Sequence, residues 1–346
     1  MDEIQKTEAR NYLMAGGLLL FAIITLLMNL GTIQAISMTS QIGGVMLLII
    51  GIILLVLRKR DIAGITLIIF GVGAAVGGFA SNMLSTFGLI WVYAIVAVVS
   101  LMWGIILLFS KDKQKWIFAV ISIIFGLGGL FAFLPDMAVA ETIRHIRSIS
   151  VIVIAAYFAF AAGFERISLP GRSLITADET TDFKQSGSSV GYALFAGIAV
   201  AYVLLYLGVF SSQGMIDAVH AASFGLGVML VLIGILLFAI GKMRFTPVMF
   251  ILVGIAEMLS WFSSGAMMYA LGAVVVITGI FAMLRKESRI LPGLMLIIYG
   301  ASFFISAWVG GTAIAPVASV ILNIIPAAIA VYLAVATLSQ RKIPLF

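Results

Sequence analysis

Apolar positions in this chain come in long unbroken runs, unlike the alternation of a strand or the one-sided stripe of a soluble helix. Runs of about 18 residues or more, the length that crosses a bilayer core, follow one another with short polar turns between them. They predict helices over residues 12–34, 41–57, 62–80, 88–109, 115–134 and 148–164. A second set follows over 190–210, 219–240, 245–262, 266–284, 290–308 and 314–338. Between the sets lies the only long polar segment, Glu165–Ser189. Its Pro170-Gly171 pair, acidic Asp178–Asp182 cluster and Gly/Ser-rich end read as a flexible connector. The expected fold is therefore all-α and polytopic. It has twelve transmembrane helices in two six-helix units, residues 1–165 and 190–346, with a cytoplasmic linker over 166–189.

The pattern repeats. Gly44–Gly71, GVMLLIIGIILLVLRKRDIAGITLIIFG, recurs without a gap at Gly227–Gly254 as GVMLVLIGILLFAIGKMRFTPVMFILVG. Gly44, Met46, Gly51, Lys59 and Gly71 coincide with Gly227, Met229, Gly234, Lys242 and Gly254. Each copy is an apolar run, a basic turn and a second apolar run, so each predicts a helical hairpin, and its recurrence marks a duplication. Six helices return the chain to the side it started from. The two halves then share one orientation, and the duplication is parallel, not inverted. A shorter motif marks alternate helices: IIFG at Ile68–Gly71 and Ile123–Gly126, ILVG at Ile251–Gly254, IIYG at Ile297–Gly300. Glycine destabilises a soluble helix by about 1 kcal/mol relative to alanine but lets membrane helices approach closely. The 35 glycines thus predict tight helix packing, with a glycine-lined pore as the sharper alternative.

Composition makes lipid the solvent. Hydrophobic residues are 63% of the chain and charged residues 10%, far below the roughly 25% of a soluble domain. The net charge of +6 does not point to nucleic acid, because 18 of the 20 Lys and Arg sort to one face of the predicted topology. The positive-inside rule makes that face cytoplasmic and puts both termini inside, as expected of a multi-pass protein of the cell membrane. Arg144 and Arg147, beside Glu141 and His145, are the basic residues expected on the outer face, where they would draw an anionic solute to an entrance or simply rest near headgroups. The absence of cysteine excludes disulfides and thiol chemistry.

Few groups could carry chemistry. The sequence offers no phosphate-binding glycine loop, no metal-ligand spacing and no nucleophile–base pair, and both histidines, His145 and His220, fall in or beside predicted outer loops. No enzyme activity, cofactor or metal is expected. Glu257, in VGIAEMLSWF, is the charged residue placed inside a span. It is either a carboxyl hydrogen-bonded to a neighbouring helix or a proton-linked group facing a wet cavity. Thr25 and Asn29 share one face of the first helix, and Tyr206 holds the place of Asn29 if Leu207-Gly208 is aligned with Leu30-Gly31. Asn323 and Pro326 mark either a kink or a polar contact in the last span.

The first helix, Phe21-x-x-x-Thr25-x-Leu27-x-Asn29-Leu30, resembles that of the acetate uptake transporter (succinate–acetate permease) family. The resemblance continues through Gly43-Gly44, Gly51 and Phe70-Gly71, through Gly241 and Phe245-x4-Phe250-x3-Gly254, and through GFERISLPGRS at the end of the sixth span. The family's Asn-Pro-Ala-Pro entrance motif is absent, and RNYLMAGG stands there. The resemblance implies two fused six-helix protomers, three chains completing a ring of pseudo-sixfold symmetry as a homotrimer in the bilayer. It also implies an aromatic–aliphatic constriction at Phe21 and Phe70 with Leu130 as third member, matched by Ile198 and Val253 in the second half. The implied function is passage of a small solute, a monocarboxylate such as acetate, with proton coupling at Glu257. The glycine-rich hairpins are also similar to non-transporting acid-stress membrane proteins of the HdeD type.

Overall fold

A computed structural model describes residues 3–30, 33–80, 86–110, 112, 115–130, 137–163, 169–179, 182–206, 213–241, 243, 245–260, 266–284, 290–308 and 315–339. Every regular element among them is a helix. They run α1 (Glu3–Leu30), α2 (Ile33–Leu57), α3 (Asp61–Ala80), α4 (Thr86–Leu107), α5 (Lys115–Leu130), α6 (Met137–Gly163), α7 (Arg172–Thr176), α8 (Phe183–Tyr206), α9 (Gln213–Ala239), α10 (Phe245–Ser260), α11 (Ala266–Leu284), α12 (Ile290–Trp308) and α13 (Ala315–Leu338). Six of them, α1, α2, α6, α8, α11 and α13, are long and apolar enough to cross a membrane, which fits a multi-pass membrane protein. The remaining apolar helices contribute shorter stretches, such as Asp61–Val76 and Ser223–Ala239. In lipid a helix satisfies its own backbone donors and acceptors, which is why such runs fold as helices at all. Large apolar side chains face outward in quantity, among them Met38 at 65% and Phe281 at 61% exposure, as lipid contact requires.

The chain divides into two compact units, Met1–Ser186 and Gly187–Phe346. The division is built from hairpins, each closed by small residues that face one another. A Cβ on Gly71 would stand 2.7 Å from the carbonyl oxygen of Gly44, and one on Gly44 would stand 2.5 Å from that of Gly71. Two turns further along, Gly51 and Gly64 make the same reciprocal contact. In the second unit Gly227 meets Gly254 and Gly272 meets Gly300 in the same way, and in α4 and α5 Ala97 faces Gly126. Backbones this close leave no room for a side chain at the crossing, so the glycines serve packing, with dispersion and interhelical contact as the driving force. Their register fixes which residues beside each glycine point into a unit.

Several helices start earlier than their apolar runs. The apolar run beginning at residue 148 is preceded by polar residues that continue the same helix, so Arg144, His145 and Arg147 lie on α6 and not in an outer loop. His220, expected at the start of the helix over 219–240, lies within α9, which begins earlier, at Gln213. A helix already nucleated extends through polar residues at little cost, whereas hydropathy marks only the part that lipid can accept.

The linker is also not the loose connector its composition predicts. Arg58 and Lys59 take left-handed φ values of 59° and 63° to reverse the chain between α2 and α3. This brings Arg60, fully buried, under the segment 176–179. The Arg60 guanidinium donates to the carbonyls of Thr176 (2.6 Å) and Ala177 (2.7 Å), to Asp178 Oδ1 (3.1 Å) and to Asn11 Oδ1 (3.1 Å). Glu179 accepts from the backbone N–H of Ile62 (2.7 Å) and Ala63 (3.4 Å), satisfying orphan donors at the start of α3. A buried guanidinium and the bare N–H groups of a helix start both need acceptors, and this stretch of linker supplies them. Burial, reinforced by the nearby Asp61 and Asp112 carboxylates, pushes the Glu179 carboxyl up to about 8.

Candidate functional site

In the second unit the polar residues converge on Glu257. The helix α10 carries it one turn beyond Val253, and both side chains are buried, Glu257 completely. Gly227 stands opposite: a Cβ there would come within 3.1 Å of the Glu257 Cβ, so the glycine contact makes room for the acid. Two phenols from other helices hold the carboxylate. Tyr202 Oη of α8 donates to Oε2 at 3.2 Å, and Tyr299 Oη of α12 donates to Oε1. Ser260 Oγ donates to the Glu257 carbonyl at 2.7 Å and stands 3.5 Å from Tyr202 Oη. A buried carboxyl group needs hydrogen-bond partners, and here both of its oxygens are engaged by hydroxyl donors.

Behind the two tyrosines lies a cavity of about 90 Å³. Its walls include Tyr202, Tyr206, His220, Tyr299, Phe303 and Asn323. The rings are mutually supported: Tyr202 lies over Tyr206 at 6.5 Å between centroids, and Tyr299 meets Phe303 edge-on at 5.5 Å. Asn323, 1% exposed, spends one amide N–H on the Ser319 carbonyl at 2.8 Å, while its Oδ1 has no hydrogen-bond partner among the described residues. Of the two readings open for Asn323, the structure shows the polar contact. The volume admits several waters or one solute of a few heavy atoms.

The first unit is built differently at the matching place. Phe21 of α1 stacks on Phe70 of α3 at 4.4 Å with 8° between ring planes. Phe125 of α5 closes against both, at 5.3 Å from Phe70 and 6.0 Å from Phe21. Arg147 of α6 lays its guanidinium 5.5 Å from the centre of the Phe125 ring. Its stem passes over Gly128, where a Cβ would collide with the Arg147 Cδ. The result is an apolar ring cluster backed by a cation.

The residues expected from sequence divide accordingly. Phe21 and Phe70 meet directly, and Phe125 joins them as a third ring; the side chain of Leu130, expected in that role, lies outside the described residues, as does that of Asn29. Thr25 turns its hydroxyl back onto the Phe21 carbonyl at 2.8 Å, so it is bonded within its own helix. Tyr206 lines the second unit's cavity, Val253 is buried one turn before Glu257 and is not in the lining, and Glu257 sits beneath the two tyrosines. Phe125 and Tyr299 were legible in principle. Each stands one residue before the glycine of its IIFG or IIYG motif, where attention to the glycine conceals the residue next to it. No family model, curated protein or solved structure matches the chain. The likeness to acetate uptake transporters rests on the sequence motifs alone.

Proposed function

We propose that this protein is a permease for a small polar solute, with twelve spans, both termini cytoplasmic, and a candidate solute site in each six-helix unit. The observation that carries the reading is the second unit's cavity, an aromatic space with Asn323, Ser302 and three phenol oxygens in its wall, set against a fully buried carboxyl group inside a largely apolar bundle. Ionisable groups at membrane depth are costly to keep and mark solute or proton paths, and a largely apolar cavity with a few placed polar groups is the usual form of a small-solute site. In the first unit Arg147 gives a monocarboxylate such as acetate its electrostatic attraction, and the three phenylalanines form the constriction it must pass.

The test is protein-dependent uptake of labelled acetate and labelled methylammonium into proteoliposomes, with and without a pH gradient. Uptake of either above that of empty vesicles is expected; uptake of both equal to empty vesicles overturns the proposal. A reporter fused after Phe346 checks the orientation, and activity outside the cell alone would reverse it. The second reading, a non-transporting acid-stress membrane protein, is favoured by the closure of Phe21, Phe70 and Phe125 ring on ring. Under that reading Phe70→Ala leaves vesicle uptake at the empty-vesicle level.

A further inference from the structure

We infer that the cavity of the second unit binds a small monovalent cation bearing N–H donors, an ammonium or short alkylammonium ion, and not a carboxylate. This rests on the permease reading and names the solute class for one of its two sites. The assignment follows from counting donors and acceptors around the space. Tyr202 and Tyr299 have committed their hydroxyl hydrogens to Glu257, so toward the cavity they present oxygen lone pairs. Ser302, also in the wall, has given its hydroxyl hydrogen to the Tyr299 carbonyl at 2.7 Å. Asn323 has placed one of its two amide N–H groups on Ser319 and keeps Oδ1 without a partner among the described residues. Four wall oxygens thus present lone pairs, the Tyr206 hydroxyl and the His220 ring can each act as donor or acceptor, and no Lys or Arg is in the lining.

A carboxylate entering this space would bring more acceptors and a charge of the same sign as Glu257. An ammonium reverses each term. Its N–H groups reach the phenolic oxygens and Asn323 Oδ1, its charge is balanced by Glu257 through the tyrosines, and the faces of Tyr202, Tyr206 and Tyr299 attract it as aromatic walls attract cations generally. The cavity of about 90 Å³ limits the ion to a few heavy atoms.

The experiment uses the full chain in phosphatidylcholine nanodiscs, with methylammonium and acetate as probes, each followed by saturation-transfer NMR of its methyl group. Saturable transfer to methylammonium that excess acetate does not displace is the expected result. Glu257→Gln and Asn323→Leu should each weaken methylammonium by about tenfold or more, the scale of one hydrogen bond to a charged group. Saturable acetate binding that displaces methylammonium, no saturable methylammonium binding, or wild-type affinity in both variants overturns the assignment. If Glu257→Gln does not fold, the wild-type preference and Asn323→Leu decide. Methylammonium binding without flux of any solute in proteoliposomes removes the permease reading and leaves this site standing; flux without cation binding does the reverse.

Discussion

Tyr299 donates its hydroxyl to Glu257 from the position in the IIYG motif that Phe125 holds in IIFG, where a ring without a hydroxyl packs on Phe70. One oxygen atom thus separates two uses of a duplicated position. In the first unit the ring closes an apolar cluster; in the second it orients a carboxylate and lines a cavity.

The carboxylate and its phenols should behave as one buried network. Glu257→Leu strands two hydroxyl donors, and an unsatisfied buried polar group costs about 1–3 kcal/mol. Glu257→Gln keeps the shape and one acceptor oxygen. Thermal unfolding in detergent should therefore show a larger drop for Leu than for Gln, and equal drops would mean that the hydroxyls find other partners.

The ring cluster of the first unit predicts a packing loss. Phe70→Ala removes a ring stacked at 4.4 Å on Phe21 and in contact with Phe125. Truncations of this kind cost about 3–5 kcal/mol. Under the permease reading the same variant should raise acetate leak through vesicles, because the constriction loses one of its three rings.

Two glycines make opposite forecasts. A methyl at Gly254 would meet the Gly227 carbonyl oxygen at 2.5 Å, backbone that cannot rotate away. Gly254→Ala should destabilise by about 1–3 kcal/mol, as overpacking does. Gly16 has no atom within 4 Å of the added methyl. Gly16→Ala should raise stability by up to about 1 kcal/mol through helix propensity alone. Melting temperatures of the two variants in one detergent check both signs.

Glu179 gives the linker a pH dependence. Its carboxyl is raised from 4.5 to about 8 by burial first and by Asp61 next. In the folded state it therefore holds its proton where the unfolded chain has lost it. The associated stability is complete below the unfolded value near pH 4.5 and is lost as pH rises through about 8. Melting temperature should fall between about pH 5 and 8, and Glu179→Gln should make that fall shallower. An unchanged slope would show that Glu179 is not responsible.

The sequence by itself determined the class of structure and the spacing of its crossings. Apolar runs too long and too continuous for a soluble core fit helices in lipid, and the glycines of Gly44–Gly71 and Gly227–Gly254 carry a register that the folded hairpins keep atom against atom. Phe21 and Phe70 were named as a pair by the resemblance of their motifs to the acetate uptake transporters. Tertiary structure alone decided which groups meet Glu257. Its partners lie 55 and 42 residues away, on helices that are apolar all round, where no hydrophobic stripe tells which face turns inward. The same reason hid Phe125 and moved Arg147 from an expected loop onto the back of a ring. The ordered linker was hidden by a different one. Its polar composition is that of a tether, but Arg60 and the bare N–H groups at the start of α3 supply hydrogen-bond partners that composition does not encode.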